Sequence, residues 1–300
     1  MSTRRHTLPL YATVGAAVMV VLAACGNAGD VSSTPDATAE KQTETAADEV
    51  FGYTKYDALL RAHVDSEGYV DYPGLLAKRA DLDRFVASMG AVTDAEYTAW
   101  PEPEQLAFWI NAYNAITLKY ILDHYPIQKG SFLSGLRYPA NSIRQIDGVW
   151  DTLSSKVVGE ERTLEDIEHE ILRAQFGDAR IHVAIVCASI GCPPLRNEAF
   201  VADTLEEQLD GQARTFLSDP TKFRIDRTGS TVHISSIFKW FGKDFVPKHG
   251  TDSFYAGHNT SQRAVLGFIA GYASPEDAKY LKTATYSIEY QDYDWSLNER

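Results

Sequence analysis

Cysteine is scarce in this sequence, which has three cysteines among 300 residues. Two of them, Cys187 and Cys192, flank one short turn, and the third lies near the N-terminus. No CxxC pair is present, and the spacing of His182, Cys187 and Cys192 is not a recognised zinc spacing. These absences argue against a metal site and against thioredoxin-like chemistry, so we expect neither a metal nor a cofactor.

Basic residues are also few, with 28 lysines and arginines against 41 acidic residues and a net charge of −13. Binding of nucleic acid requires clustered lysine and arginine side chains. An acidic chain is also repelled by anionic lipid headgroups. We therefore expect no nucleic-acid partner.

Long apolar runs are missing beyond the N-terminus, where residues 8–24 follow a basic start. This arrangement is typical of a secretory signal and too short for a stable spanning helix. The run closes on Leu22-Ala23-Ala24-Cys25, which resembles the lipobox of bacterial lipoproteins. We expect residues 1–24 to be a signal peptide and Cys25 to be lipidated; the alternative is an ordinary signal peptide with a chance cysteine.

The segment that follows has little that can form a core, because residues 26–49 contain no aromatic side chain. We expect residues 25–50 to be a lipidated, disordered tether that joins the protein to the membrane. Gly26 follows the cysteine where an aspartate would argue for retention at the inner membrane. The expected location is therefore the cell envelope, at the outer membrane and facing the periplasm.

Residues 51–300 are expected to form one globular domain. Residues 104–122 are apolar almost all round and predict a buried helix. Residues 163–176 predict a helix that begins with a Thr163–Asp166 capping pair, and residues 222–235 predict a hairpin. Helices and strands are mixed without regular alternation, which favours an α+β domain of helices packed on a small sheet.

Three further local predictions follow from the pattern. The run "RIHVAIVC", residues 180–187, predicts a buried strand because it is short and rich in β-branched residues. Residues 131–151 predict a loop with short strands. Thr204 and Glu207 predict a capping box at the start of another helix.

Polar side chains interrupt two of these elements. Asn111 and Asn114 share one face of the buried helix, where an unbonded amide costs about 1–3 kcal/mol. They tie down a loop or bind a substrate. On the 163–176 helix, Glu168 faces inward and His169 lies on the flank, so both are candidates for proton transfer. The alternative for Glu168 is a buried ion pair with an arginine such as Arg173 or Arg180.

The cysteine turn leaves several alternatives open. On a regular strand, His182 and Cys187 face opposite sides and lie roughly 16 Å apart, which excludes a catalytic pair. Cys192 can turn back toward His182 or His169. A Cys187–Cys192 disulfide, inert packing and a reactive thiol all remain possible, and a strained disulfide would be redox-active.

Six blocks carry a family resemblance: "FWINAYNAITL", "TLEDIEHEILR", "RIHVAIVCASIGCPPLRNEAF", "LDGQARTFL", "SSIFKWFGKDF" and "YDWSLN". In this order they resemble the bacterial family known as domain of unknown function 547, over most of residues 100–295. The family has no established activity, so the resemblance implies no catalytic residue. Its blocks fall on Asn111, Asn114, Glu168, His169, Arg173, Arg180, His182, Cys187, Cys192 and Pro193.

The sequence therefore leads to the hypothesis of a thiol- or carboxylate-dependent hydrolase or transferase that acts on an envelope peptide or glycan. The expected catalytic residues are Cys192, His182, Glu168 and His169. The expected substrate-binding residues are Asn111, Asn114, Arg173 and Arg180. The rival hypothesis is a non-catalytic binding or scaffold lipoprotein that grips a protein partner or sugar through exposed aromatics, namely Tyr290, Tyr293 and Trp295.

Overall fold

In the computed structural model, which describes residues 51–130, 132–250, 254–255 and 257–300, the longest helix is α5 (Glu102–His124). Nearly every residue from Leu106 to Leu122 is buried. A helix without a solvent face must be covered by other elements on all sides. The prediction of a buried helix is therefore confirmed, and α5 forms the centre of the larger core.

The expected signal peptide, Cys25 and the tether lie outside the described residues and stay predictions. All described residues belong to one compact unit. Within them, no helix combines the length and the apolar character that are needed to cross a membrane.

The helices before α5 are shorter than it, and side chains cap the starts of two of them. They are α1 (Thr54–His63), α2 (Tyr72–Ala77), α3 (Arg79–Ala91) and α4 (Asp94–Ala99). Asp71 accepts a hydrogen bond from the N–H of Gly74 at the start of α2, and Thr93 and Glu96 form a capping box on α4. Helix α3 packs directly on α5, and α1 in turn packs on α2 and α3.

After α5 the chain forms helix α6 (Phe132–Arg137) and a 3₁₀ turn (Ile143–Gln145), so the predicted short strands of residues 131–151 are wrong. The buried side chain of Gln145 donates to the carbonyls of Tyr138 and Pro139. A side chain thus makes the hydrogen bonds that a neighbouring strand would otherwise make to these backbone groups. The first strands come later, as the antiparallel hairpin of β1 (Ser154–Val157) and β2 (Glu160–Thr163).

The predicted helix of residues 163–176 is confirmed, but its main part is a π-helix (Asp166–Phe176). The Thr163 N–H donates to the Asp166 carboxylate and the Asp166 N–H donates to the Thr163 hydroxyl, as expected for a capping pair. Gly177 ends the helix with φ = 63°.

The predicted strand of residues 180–187 is wrong. Helix α7 (Ile181–Ala184) forms instead and is followed by a short extended stretch. The Asp178 carboxylate accepts from the backbone N–H of Arg180 and fixes the turn that starts α7. Asn114 then binds the Ala184 carbonyl and the Val186 N–H, so one amide side chain makes the bonds that a neighbouring strand would make.

Helix α8 (Leu205–Ser218) follows a 3₁₀ turn (Ala202–Thr204). The predicted capping box of Thr204 and Glu207 is wrong, because the side chain of Thr204 accepts no hydrogen bond from the helix. Gln208 instead fixes the approach to the helix by accepting from the N–H of Val201 and donating to the carbonyl of Ala199.

The second sheet has the strand order β3–β4–β5. Strands β3 (Phe223–Asp226) and β4 (Thr231–Ser235) form the predicted antiparallel hairpin, and β5 (Ser287–Gln291) pairs with β4 in parallel. Along the chain, the elements between β4 and β5 are α9 (Ser236–Phe241), a 3₁₀ turn (Gly242–Phe245), α10 (Val246–His249), α11 (Thr260–Tyr272) and α12 (Pro275–Thr283). Apolar side chains of α8, α9, α11 and this sheet form a second core, and the fold is α+β, as predicted.

Candidate functional site

A cavity of about 560 Å³ opens where the π-helix, α9 and the 185–193 segment meet. Its size is within the range of small-molecule sites. Its polar wall brings together residues that lie far apart in the sequence. The groups with chemical potential in this wall are Tyr113, Glu168, His169, His182, Cys187, Cys192 and Tyr293.

Cys187 and Cys192 face each other across a tight turn. The backbone N–H of Cys187 donates a hydrogen bond of 2.8 Å to the sulfur of Cys192. Ala188 has φ = 52°, and the N–H of Cys192 returns to the carbonyl of Ser189. The left-handed residue reverses the chain and brings the second sulfur back to the backbone of the first cysteine.

The C-terminal segment holds this turn from outside. The N–H of Ile190 donates to the carbonyl of Ser296, and the N–H of Gly191 donates to the carbonyl of Asp294. The buried Lys222 ammonium donates to the Ile190 carbonyl at 2.6 Å. A turn with this many backbone bonds keeps the two sulfurs in place.

Both cysteines are free thiols, so the disulfide considered from the sequence is not formed in this structure. Burial raises the pKa of Cys192, but hydrogen bonds from Cys187 and Tyr293 outweigh burial and bring the pKa down to about 7. The pKa of Cys187 is raised well above its usual value, since its thiol donates to Cys192 and is itself buried. The thiolate of the pair therefore resides on Cys192, and the proton stays on Cys187.

Tyr293 stabilises the same pair. Its hydroxyl lies 3.0 Å from the sulfur of Cys187 and 3.2 Å from the hydroxyl of Ser189. Burial and the neighbouring sulfurs raise the pKa of Tyr293 well above its usual value, so the phenol keeps its proton and can donate it in a hydrogen bond.

His182 lines the cavity and is paired with Asp244. The Nε2 atom of His182 lies 2.8 Å from the Asp244 carboxylate, and the imidazole stacks on Phe241 at 4.2 Å. The other ring nitrogen, Nδ1, has no hydrogen-bond partner among the described residues. Because the side chain is only 1% exposed, the ring orientation is fixed.

Asp244 is also held by Arg173, whose guanidinium makes hydrogen bonds of 2.6 and 3.1 Å to its two oxygens. Burial raises the pKa of Asp244, but His182 and Arg173 outweigh it and hold the pKa well below its usual range. The ionised carboxylate can therefore orient the imidazole through Nε2.

Glu168 and His169 lie at the edge of the cavity. Glu168 is half-buried and accepts a hydrogen bond of 3.3 Å from the hydroxyl of Tyr113. The ion pair that the sequence left open for Glu168 is not formed, because Arg173 binds Asp244 and Arg180 binds other acids. The Nδ1 atom of His169 contacts the guanidinium of Arg173.

The four expected substrate-binding residues do not line the cavity. Asn111 binds both backbone groups of Phe200. Asn114 fixes the segment just before Cys187, and Arg173 reaches the site only through Asp244. Each asparagine thus ties down a loop, which was the alternative to substrate binding.

Arg180 is also remote from the cavity. Its nearly buried guanidinium pairs with Asp178, Glu206 and Asp210. This cluster joins α7 to α8, so Arg180 serves packing rather than substrate recognition.

The sequence did not indicate several residues that line the cavity or hold its side chains. Asp244 lies in the quoted block "SSIFKWFGKDF", but nothing in the local pattern connects it to a histidine 62 positions earlier. Trp150, Trp240 and Arg144 were not identified either. Of the three aromatics proposed for binding, Tyr293 and Trp295 line the cavity and Tyr290 does not.

The described part of the chain contains no group of three or more His, Cys, Asp or Glu side chains arranged to hold a metal ion. His182, Cys187 and Cys192 line one wall, yet the backbone N–H of Cys187 and the Asp244 carboxylate already occupy two of the expected ligand atoms.

The fold and the cavity together define an α+β protein with a paired cysteine and histidine site. Residues 97–217 match the family model described as "Protein of unknown function, DUF547", and this match supports the family that the sequence blocks indicated. The matched range contains both cysteines and His182 but ends before Asp244 and Tyr293. Comparisons with curated proteins and with solved structures found no match.

Proposed function

We propose that the protein is a thiol-dependent hydrolase or transferase in which Cys192 is the nucleophile. The observation that carries the proposal is that the wall of one cavity contains two paired thiols and His182, whose imidazole is held by the Asp244 carboxylate. In thiol catalysis a sulfur with a lowered pKa requires a base that is oriented by a third group. Cys192, His182 and Asp244 supply these three functions.

The proposed reaction is acyl transfer. The Cys192 thiolate forms a bond to the carbonyl carbon of an ester or amide, and the bond from that carbon to the leaving oxygen or nitrogen breaks. The leaving group takes a proton from protonated His182. Water then attacks the thioester carbon and gives a proton to His182. The bond from that carbon to the sulfur breaks, the carboxylic acid leaves and the Cys192 thiolate is restored. In a transferase, an amine or alcohol replaces water.

The neighbouring groups have distinct supporting roles. Asp244 orients His182 through Nε2 and leaves Nδ1 for the proton transfer. Cys187 and Tyr293 donate hydrogen bonds that stabilise the thiolate. Glu168, held by Tyr113, is the proposed site of a further proton transfer.

The proposed substrates are peptides or glycans of the cell envelope. Lipidation at Cys25 would place the cavity beside these polymers and would make the membrane a partner through the anchor. The aromatic wall supports a substrate with flat or ring-shaped groups, because Trp240, Trp295 and Tyr293 pack within 4.5–6.2 Å of one another.

The proposal is tested with p-nitrophenyl acetate as an acyl donor. We expect a burst of nitrophenol and an acetyl group on the peptide that contains Cys192, found by mass spectrometry. Cys192→Ser should abolish the acetylated peptide, and His182→Gln should slow the steady release of nitrophenol after the burst by about a hundredfold or more, because hydrolysis of the thioester needs the base. Cys187→Ser is the matched control, because the serine hydroxyl can still donate to Cys192. Release no faster than with denatured protein, or acetylation of Cys187 instead, would contradict the proposal.

The second candidate function is a non-catalytic binding lipoprotein, and the aromatic wall is the observation that favours it. Trp240 is 48% exposed and contributes a large apolar face to the cavity rim. This candidate predicts that Trp240→Ala weakens the binding of envelope fragments, measured by tryptophan fluorescence, while p-nitrophenyl acetate leaves no acetyl group on Cys192. The acylation experiment therefore separates the two functions.

A further inference from the structure

We infer that the cavity recognises a carboxylate group of its ligand through the guanidinium of Arg144. The inference deepens the proposed function, and it rests on that proposal only in taking the ligand to be the substrate. It names a substrate class: an acyl compound with a free carboxylate, such as a short peptide with an ionised C-terminus or acidic side chain.

The backbone that carries Arg144 is fixed. Arg144 lies in the 3₁₀ turn Ile143–Gln145, whose other two residues are buried. The hydroxyl of Ser142 accepts from the N–H of Arg144 at 3.2 Å. Gln145 ties the turn to the carbonyls of Tyr138 and Pro139. The side chain therefore leaves its backbone in one direction, toward the cavity that it lines.

Aromatic rings hold the guanidinium in place. Its carbon lies 4.2 Å from the ring centre of Trp295, 4.6 Å from that of Trp150 and 5.4 Å from that of Tyr138. Stacking on ring faces restrains a guanidinium without using the N–H groups at its edge. A pre-positioned arginine loses little rotamer freedom when a ligand binds.

Arg144 has no anionic partner in the part of the chain that the structure describes. Its Nε atom is buried and makes no hydrogen bond, whereas Arg173 and Arg180 are each paired with carboxylates. The guanidinium of Arg144 therefore lines the cavity without an acceptor of its own among the described residues, and a ligand carboxylate can supply one.

The other charges of the cavity restrict the ligand. Arg144 is the only arginine or lysine among the described residues that line it, and four carboxylates line it as well: Asp147, Asp151, Glu165 and Glu168. A ligand with several negative charges would be repelled by these acids. A single carboxylate that reaches Arg144 can form two parallel hydrogen bonds with the guanidinium.

The test compares N-acetylalanine with its neutral amide, N-acetylalaninamide, by quenching of tryptophan fluorescence. Both probes have the same shape, and only the first has a carboxylate. We expect the acid to bind the wild-type protein about tenfold more tightly, which corresponds to about 1.4 kcal/mol. Arg144→Gln should remove this preference, and Arg144→Lys should keep part of it because the charge remains.

Arg137→Gln is the matched control, since Arg137 also contacts the Tyr138 ring but is exposed and does not line the cavity. It should leave the preference unchanged. Equal binding of acid and amide by the wild type, or no saturable binding of the acid, would overturn the inference whether or not Arg144→Gln folds. The proposed function fails by a different result, namely the absence of an acetyl group on Cys192. The two results can be distinguished because the binding titrations do not require a reactive thiol.

Discussion

The backbone N–H of Cys187 points at the sulfur of Cys192 from 2.8 Å. One cysteine thus contributes its main chain as well as its side chain to the stabilisation of the other. Such an arrangement favours one thiolate and one thiol over two equivalent sulfurs. It also distinguishes the two sulfurs, as the proposed role of Cys192 as the nucleophile requires.

The first prediction concerns the pH at which Cys192 reacts. Its alkylation by iodoacetamide should follow the thiolate fraction and rise through about pH 7, because the pKa is lowered to that value. Tyr293→Phe removes a hydrogen bond to the pair, so the midpoint of the profile should move to higher pH. The rate is measured by mass spectrometry of the Cys192 peptide. Tyr290→Phe is the control, as Tyr290 does not line the cavity; a profile unmoved by Tyr293→Phe would be inconsistent with this role.

The second prediction separates the two asparagines of α5. Asn111→Ala and Asn114→Ala should each lower the free energy of unfolding by about 1–3 kcal/mol, because each leaves buried backbone groups without partners. Only Asn114 holds the stretch that leads into Cys187. Asn114→Ala should therefore also change the alkylation rate of Cys192, and Asn111→Ala should not. Equal effects of the two substitutions on alkylation would show that the hydrogen bonds of Asn114 do not control the reactivity of Cys192.

The third prediction concerns Asp244 and acid. Asp244→Asn should lower the free energy of unfolding at pH 7 by about 2 kcal/mol, since His182 and Arg173 lose their shared anion. The folded-state pKa of Asp244 is depressed, so its stabilisation is complete above the unfolded pKa of about 4 and is lost as the pH falls below that value.

Urea denaturation of both proteins at pH 7, 4 and 3 measures this difference. The gap between wild type and Asp244→Asn should be constant down to about pH 4 and then narrow. Asp151→Asn, at an exposed carboxylate near the same cavity, should show no comparable gap at any pH. A difference in the free energy of unfolding that grows below pH 4 would contradict a lowered pKa of Asp244.

The helices and the hairpin were predictable because their signals are local. The apolar surface of α5 runs all round the helix, and the Thr163–Asp166 pair forms within four residues. The 180–187 segment was not predictable in the same way. Its short apolar run suits a strand or a buried helical turn equally, and the choice is made by Asp178 and by Asn114 from a distant helix.

The candidate site was predictable in part for the same reason. Polar or reactive side chains within apolar segments were predicted to be catalytic, and all four of them line the cavity: Cys192, His182, Glu168 and His169. Asp244 was not predicted, because tertiary packing places it beside His182, and Tyr293 was predicted only as an exposed aromatic of the rival binding hypothesis. The exclusion of a His182–Cys187 pair depended on a regular strand, and with that strand replaced by α7 the exclusion no longer holds.

The bonds between the cysteine turn and the segment around residues 293–296 have a consequence for biosynthesis. The hydroxyl of Tyr293 contacts a sulfur that lies 106 residues earlier in the chain, and Asp294 and Ser296 hold the turn between the two sulfurs. As the polypeptide grows from its N-terminus, the cysteines emerge long before these residues. The thiol pair is therefore completed late, so a nascent chain carries its cysteines without the surroundings that set their reactivity.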